Sequence, residues 1–242
     1  MNINVLKNEI EVAETIADEI EKVIVGKNDA LICICAGHTP VPVYKKLVED
    51  VKQDKYKSDD FKFISLDEWV GLGPDDPGSC IYDVSLHFFS PLGITRGERM
   101  FFFDGLSDNL NEECEKAKHF IEKNGGLDLV LLGIGMNGHI GFNEPGTKIT
   151  DSVRVVELDE TSKAVSIKYF DKPNKIGPGI TIGIKEIMNA RKIFIMASGN
   201  HKQDVVYRAV KEPASEDFPV TLIRDHYDLN MYFDEAAARK IV

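Results

Sequence analysis

The chain has 242 residues, 43% of them hydrophobic, with 29 lysines and arginines against 40 aspartates and glutamates, a net charge of −11. That length suits a single α/β domain spanning residues 1–242 with a sizeable core. The acidic balance repels nucleic acid and anionic lipid alike, so neither is an expected partner, and an anionic substrate needs positive contacts that are local.

Cys33, Cys35, Cys80 and Cys114 show neither zinc-site spacing nor the density of a disulfide scaffold. The six histidines are scattered without metal-binding spacing, so no metal is expected. The N-terminal stretch is acidic and amphipathic, unlike a signal peptide, and no apolar run approaches the about 20 residues of a membrane span. A cytoplasmic protein is the expectation, and nothing in the composition marks a linker or an internal repeat.

In chain order, apolar residues from Ile10 to Ile24 recur at helical spacing, with Gly26 placed to close the helix. Ala30–Ala36 is a continuous apolar run, the pattern of a strand covered on both faces. Val41–Val51 reads as a helix, Phe61–Leu66 as a second buried strand, Ile81–Phe89 as a helix and Phe101–Phe103 as a short strand. Asn109–Lys123 is a charged helix, and Leu127–Leu132 is an apolar strand placed at the centre of the sheet. A helix over Glu160–Phe170, a strand over Lys192–Ala197, a helix over His201–Lys211 and a strand over Leu229–Phe233 complete the series. Strands alternating with helices imply right-handed crossovers and a doubly wound three-layer α/β/α sandwich around a mostly parallel, Rossmann-like sheet.

Chemistry-bearing residues collect after the strands, where ligands of open α/β sheets bind. After the first strand come Gly37, His38, Thr39 and Pro40: a glycine turn, a hydroxyl placed to cap the next helix, and a proline suited to its first turn. Free N–H groups at such a helix start suit a phosphate, although an ordinary capped turn has the same sequence. Ser198-Gly199-Asn200-His201-Lys202 repeats the arrangement, and a lysine in a first turn opposes the helix dipole unless an anion sits nearby.

The second strand runs into Asp67 and Glu68, costly at a buried strand end unless hydrogen-bonded or in use, and a carboxylate there can act as a general base. The central strand breaks into Gly133, Gly135 and Gly138 and then delivers Asn137, His139, Asn143 and Glu144. These glycines satisfy a dinucleotide fingerprint, but Gly141, Pro145 and Gly146 oppose the helix it requires. His139 sits between an amide and a carboxylate able to fix its tautomer and raise its basicity.

Taken together, the blocks Gly37–Pro40, Leu66–Leu72 (LDEWVGL), Gly133–Gly146 and Ser198–Lys202 resemble the glucosamine-6-phosphate deaminase/isomerase family over nearly the whole chain. The resemblance implies ring opening of an amino-sugar phosphate by His139, oriented by Glu144 and Asn137. It implies proton transfer from C2 to C1 by Asp67, and phosphate contacts from Gly37, His38, Thr39, Lys168 and Lys202. No cofactor is implied, and the partner is a small-molecule sugar phosphate, with room left for a homo-oligomer.

Trp69 stands where the glucosamine enzymes usually carry tyrosine, Pro77-Gly78-Ser79-Cys80 replaces a Ser-Tyr pair, and Lys168 sits where they have an arginine. The segments GLDLVLLGIG and GITIGIKEIMNARK resemble the galactosamine-6-phosphate isomerase branch. The expectation is therefore a galactosamine-6-phosphate isomerase/deaminase giving tagatose-6-phosphate, with a glucosamine-6-phosphate deaminase as the alternative. Arg154 matches one basic residue of the effector site some members carry, but Val156 falls at a second, so effector control of that kind is not expected.

Two competing readings fare worse. A 6-phosphogluconolactonase resembles this chain only up to FNEPG, and LDEWVGL does not suit it. A sugar-phosphate sensor predicts decayed acid–base residues, whereas Asp67, His139 and Glu144 are intact.

Overall fold

The computed structural model describes residues 1–57, 61–94, 97, 99–160, 162–163 and 177–242. A strand that periodicity did not reveal, β1 (Asn2–Leu6), precedes α1 (Glu9–Gly26), whose start is capped by Asn8 accepting from Ile10 and Glu11 N–H at 3.0 Å each. There follow β2 (Ala30–Ile34), α2 (Val41–Lys52), β3 (Phe61–Ser65), β4 (Asp67–Trp69), α3 (Cys80–Val84), β5 (Met100–Phe101), α4 (Leu110–Lys123) and β6 (Leu129–Gly133). The chain continues through β7 (Arg154–Val156), β8 (Gly179–Thr181), α5 (Ile184–Met188), β9 (Ile193–Ala197), α6 (Gln203–Lys211), β10 (Leu229–Asp234) and α7 (Glu235–Ala238).

The main sheet has seven strands in the order β1-β10-β9-β6-β2-β3-β5, every pair parallel. Every residue of β2 and of β9 is buried, which requires cover on both faces and gives the three-layer sandwich. From β2 the chain winds outward through β3 to β5, then returns to lay β6 on the other side of β2 and continues to β9 and β10. The winding reverses between β2 and β6. A crevice opens there outside the carboxyl ends of the strands, and Gly37–Thr39 and the Gly133–His139 loop border it.

A second, three-stranded antiparallel sheet, β4-β8-β7, stands at the same end. Its strands are three residues each, too short for a periodic signal, so the sequence showed LDEWV only as the end of the preceding strand. Leu66 joins the two sheets: its N–H donates to Ile34 O and its carbonyl accepts from Ile182 N–H, both at 2.8 Å. Asp67 is thereby fixed one residue beyond the main sheet.

One helix differs from expectation. The one expected over Ile81–Phe89 begins at Cys80, is α-helical to Val84 and continues as a π-helical turn over Ser85–Phe89. The wider turn lets the adjacent Phe88 and Phe89 both enter the core, where each ring lies against Phe63 at 5.1 and 5.2 Å between centroids. The strand expected over Phe101–Phe103 is Met100–Phe101. The helix expected over Glu160–Phe170 falls mostly outside the described residues, as does Lys168.

Candidate active site

A cavity of about 400 Å³ fills the crevice, in the size range of small-molecule sites. Residues from every block singled out in the sequence line it, among them Gly37, Thr39, Asp67, His139 and Lys202.

Asp67 is buried, and Cys80 Sγ lies 3.5 Å from its Oδ1 as donor. Burial pushes its carboxyl up to about 7, with the neighbouring Glu68 charge adding to the rise and the Cys80 contact opposing it. Glu68 is likewise raised to about 7 by burial, against three backbone N–H groups that bond its carboxylate. Those donors are Trp69 at 2.8 Å, Cys80 at 2.9 Å and Ile81 at 2.9 Å. Glu68 anchors the start of α3 and does not line the cavity, so of the two acids Asp67 is the one available as a base. A base with its pKa near neutrality is matched to proton transfer at physiological pH.

The glycine-rich loop after β6 serves the histidine. A Cβ on Gly135 would lie 2.4 Å from the His139 ring, so only glycine lets the imidazole fold back over this turn. Gly138 adopts φ 83°, and a side chain there would meet Phe218 at 2.3 Å. No helix follows; an isolated bridge joins Ile140 to Asn143, and the dinucleotide reading fails for want of its helix N-terminus.

His139 Nδ1 lies 3.0 Å from Ser162 Oγ and 3.5 Å from Glu144 Oε2. Asn137 braces the arrangement: its Oδ1 accepts from the His139 N–H at 3.2 Å, and its Nδ2 donates to Glu144 Oε2 at 2.9 Å and to Asp159 Oδ1 at 3.3 Å. Burial raises the Glu144 carboxyl, but bonds and charge from His139, with bonds from Ser162 and Asn137, outweigh it and hold the carboxyl below its usual value. An ionised Glu144 facing Nδ1 favours the tautomer that carries its proton there and leaves Nε2 as the working nitrogen. Ser162 and Asp159 were absent from the sequence-based set, since neither stands in a motif and each reaches this loop from about 22 residues away in the chain.

For the expected phosphate contacts the expectations are met in part. Thr39 does not cap α2; Pro40 occupies the cap position without a side-chain bond, and Thr39 lines the cavity with Gly37 and His38. The Gly37 N–H is already taken, donating to Asp83 Oδ2 at 2.8 Å, so that donor is not free for an anion as the sequence implied. Lys202 ends a 3₁₀ turn (Asn200–Lys202) at the start of α6, and its Nζ donates to Ile134 O at 2.5 Å. Burial lowers its pKa. It therefore presents a partly desolvated cation to the cavity. Gly199 turns its N–H to the Asp234 carboxylate, 3.0 Å from either oxygen, and of its block only Lys202 reaches the cavity.

Trp69, Phe142 and Leu66 supply an apolar wall, with the Trp69 and Phe142 rings 4.6 Å apart at 61°. Arg154 points elsewhere: it bonds Asn143 Oδ1 at 3.0 Å and Thr147 Oγ1 at 2.9 Å, bracing the loop that carries Glu144. No helix among the described residues is long and apolar enough to cross a membrane.

Residues 8–231 match the family model described as glucosamine-6-phosphate isomerases/6-phosphogluconolactonase. A glucosamine-6-phosphate deaminase of Bacillus velezensis is 37% identical over 239 residues, covering 98% of this chain and 99% of its own length. The solved structure of a monomeric glucosamine-6-phosphate deaminase superposes with a TM-score of 0.94 at 30% identity, covering 99% of this chain and 100% of that one. A 6-phosphogluconolactonase from Thermotoga maritima, 22% identical with a TM-score of 0.76 over 96% of this chain and 98% of its own, shares the fold. With the match spanning nearly the whole chain and residues of every motif block lining a single cavity, the chain belongs to the glucosamine-6-phosphate isomerase/6-phosphogluconolactonase family.

Proposed function

We propose that this protein is a glucosamine-6-phosphate deaminase, converting glucosamine-6-phosphate and water to fructose-6-phosphate and ammonia. The observation that carries the proposal is that Asp67 and His139, from different strand ends, line one cavity, each braced by its own hydrogen-bond partners. His139 Nε2 takes the proton of the C1 hydroxyl and gives one to the ring oxygen, opening the pyranose. Asp67 then removes the C2 proton while the substrate's own C2 ammonium gives a proton to the C1 carbonyl oxygen, which leaves an enolamine. Return of the proton to C1 gives the ketimine; water adds at C2 and ammonia leaves. Lys202, His38 and Thr39 hold the phosphate, with Lys168 assigned to the same group from its position in the family pattern. Such anchoring keeps C2 over Asp67, and positioning of this kind contributes several kcal/mol to catalysis.

Glucosamine-6-phosphate takes precedence over the galactosamine epimer expected from the sequence because the similar deaminases act, by name, on the former. The galactosamine reading stands second because two departures, Trp69 and Cys80, both line the cavity. Ammonia release by the purified protein, without added metal or nucleotide, is expected with glucosamine-6-phosphate at a higher kcat/KM than with galactosamine-6-phosphate. The reverse preference selects the second reading, and folded protein that releases ammonia from neither overturns both.

A second expected result follows from the close approach at Gly135. Gly135→Ala drives a methyl group into the imidazole, which is displaced by about an ångström; a misplacement of that size costs about 10²-fold in turnover. The melting temperature is the control, and undiminished turnover in the folded variant would show that the ring's position is not critical.

A further inference from the structure

We infer that Cys80 is a positioning residue for Asp67: its thiol holds one carboxylate oxygen as a hydrogen-bond donor, leaving the other oxygen to take the substrate's C2 proton. The inference rests on Asp67 being the base.

The contact is built. Cys80 Sγ lies 3.5 Å from Asp67 Oδ1, both side chains are buried, and both line the cavity. Glu68 fixes the donor in place, since its carboxylate accepts the N–H groups of Cys80 and Ile81 at 2.9 Å each. Ser79 adds the side-chain cap of α3, accepting from Tyr82 N–H at 3.1 Å. Glu68 thus clamps the backbone of the helix that carries the thiol, and the thiol's 3.5 Å contact is with Asp67.

The thiol can act only as a donor here. Burial, then the charges of Glu68 and Asp67, push its pKa well above the thiol range, so it stays protonated wherever Asp67 titrates. An S–H group is a weak donor, and the weakness matters. Without a donor, the buried Asp67 stays protonated to a higher pH; a strong donor stabilises the anion and makes it a poorer base. The other titratable groups around Asp67 are Glu68 on its own strand and Cys33 and Cys35 from the β2 segment. The rest of the cavity lining adds His38, Tyr82, Asp83, His139 and Lys202.

The test is the pH dependence of kcat/KM for Cys80→Ala, Cys80→Val and Cys80→Ser beside the parent enzyme. Alanine and valine remove the donor at two different volumes, so one folded variant of the two suffices. Its acid limb is expected to move to higher pH by about 0.5–1 unit, a loss of about three- to tenfold on that limb. Serine, which retains a donor, is expected to keep the limb at or below the parent's position. An unmoved limb in the non-donor variant, or a serine limb that moves as alanine's does, overturns the inference. The base assignment is tested apart from it: an inactive Asp67→Asn enzyme with an unmoved Cys80→Ala limb removes the role of Cys80 alone, whereas an active Asp67→Asn enzyme removes the base.

Discussion

Asp67→Asn is expected to lower kcat by about 10²–10⁴-fold while the Kd of a phosphorylated competitive inhibitor changes little. The amide keeps the shape of the side chain but cannot accept a proton as the carboxylate does, and the proposed phosphate contacts are other residues of the cavity lining. The same substitution carries a stability signature whose sign follows from the raised pKa. A carboxyl whose folded pKa is about 7 lends its full stability below the unfolded value, near 4, and loses it as the pH rises towards 7. The parent therefore holds a buried charge at a cost above neutrality, and the asparagine variant does not. Its melting temperature should exceed the parent's at about pH 8, with the difference vanishing at about pH 4. Wild-type turnover in this variant would reassign the base. Glu68 is no substitute, because three backbone N–H groups occupy its carboxylate.

His139→Gln is expected to cost about 10²–10⁴-fold in turnover of the closed sugar, with a far smaller loss in C2-proton exchange of an analogue held in open-chain form. The division follows from the geometry: His139 is braced by Ser162, Glu144 and Asn137 on the loop after β6, whereas Asp67 stands on β4 beyond the end of β3. Isotope exchange at C2, followed by NMR for both substrates, reads the two steps separately. Equal loss of open-chain exchange in the His139 and Asp67 variants would show that the residues act in one step.

Much of this site was legible before any folding. Asp67, His139, Glu144, Asn137 and Lys202 stand in short blocks after apolar runs, and those runs are strands of one parallel sheet. The residues that complete it were not legible. Ser162 meets His139 across 23 positions, Asp83 reaches Gly37 across 46, and Cys80 reaches Asp67 across 13. No spacing rule encodes such contacts, because helical and strand periodicities report only on neighbours within a few residues. The two small strands β7 and β8 and the edge strand β1 escaped for a related reason: three to five residues carry too little pattern to outweigh their surroundings.

The sequence by itself determined the chemistry on offer: which strands are buried on both faces, which carboxylates, imidazole and lysine follow them, and where glycine is needed to turn the chain. These are properties of side-chain type and near-neighbour order. The tertiary structure decided which offers are taken up. Placing β6 between β2 and β9 brought three separate blocks to one crevice. Burial then sorted the acids: Asp67 became a carboxyl raised to about 7 on the cavity wall, Glu68 a clamp on α3, and Glu144 an acid held below its usual value beside His139. Desolvation and long-range hydrogen bonds exist only once distant segments meet, so the same residue type in the same local sequence carries no fixed role until the sheet order places it.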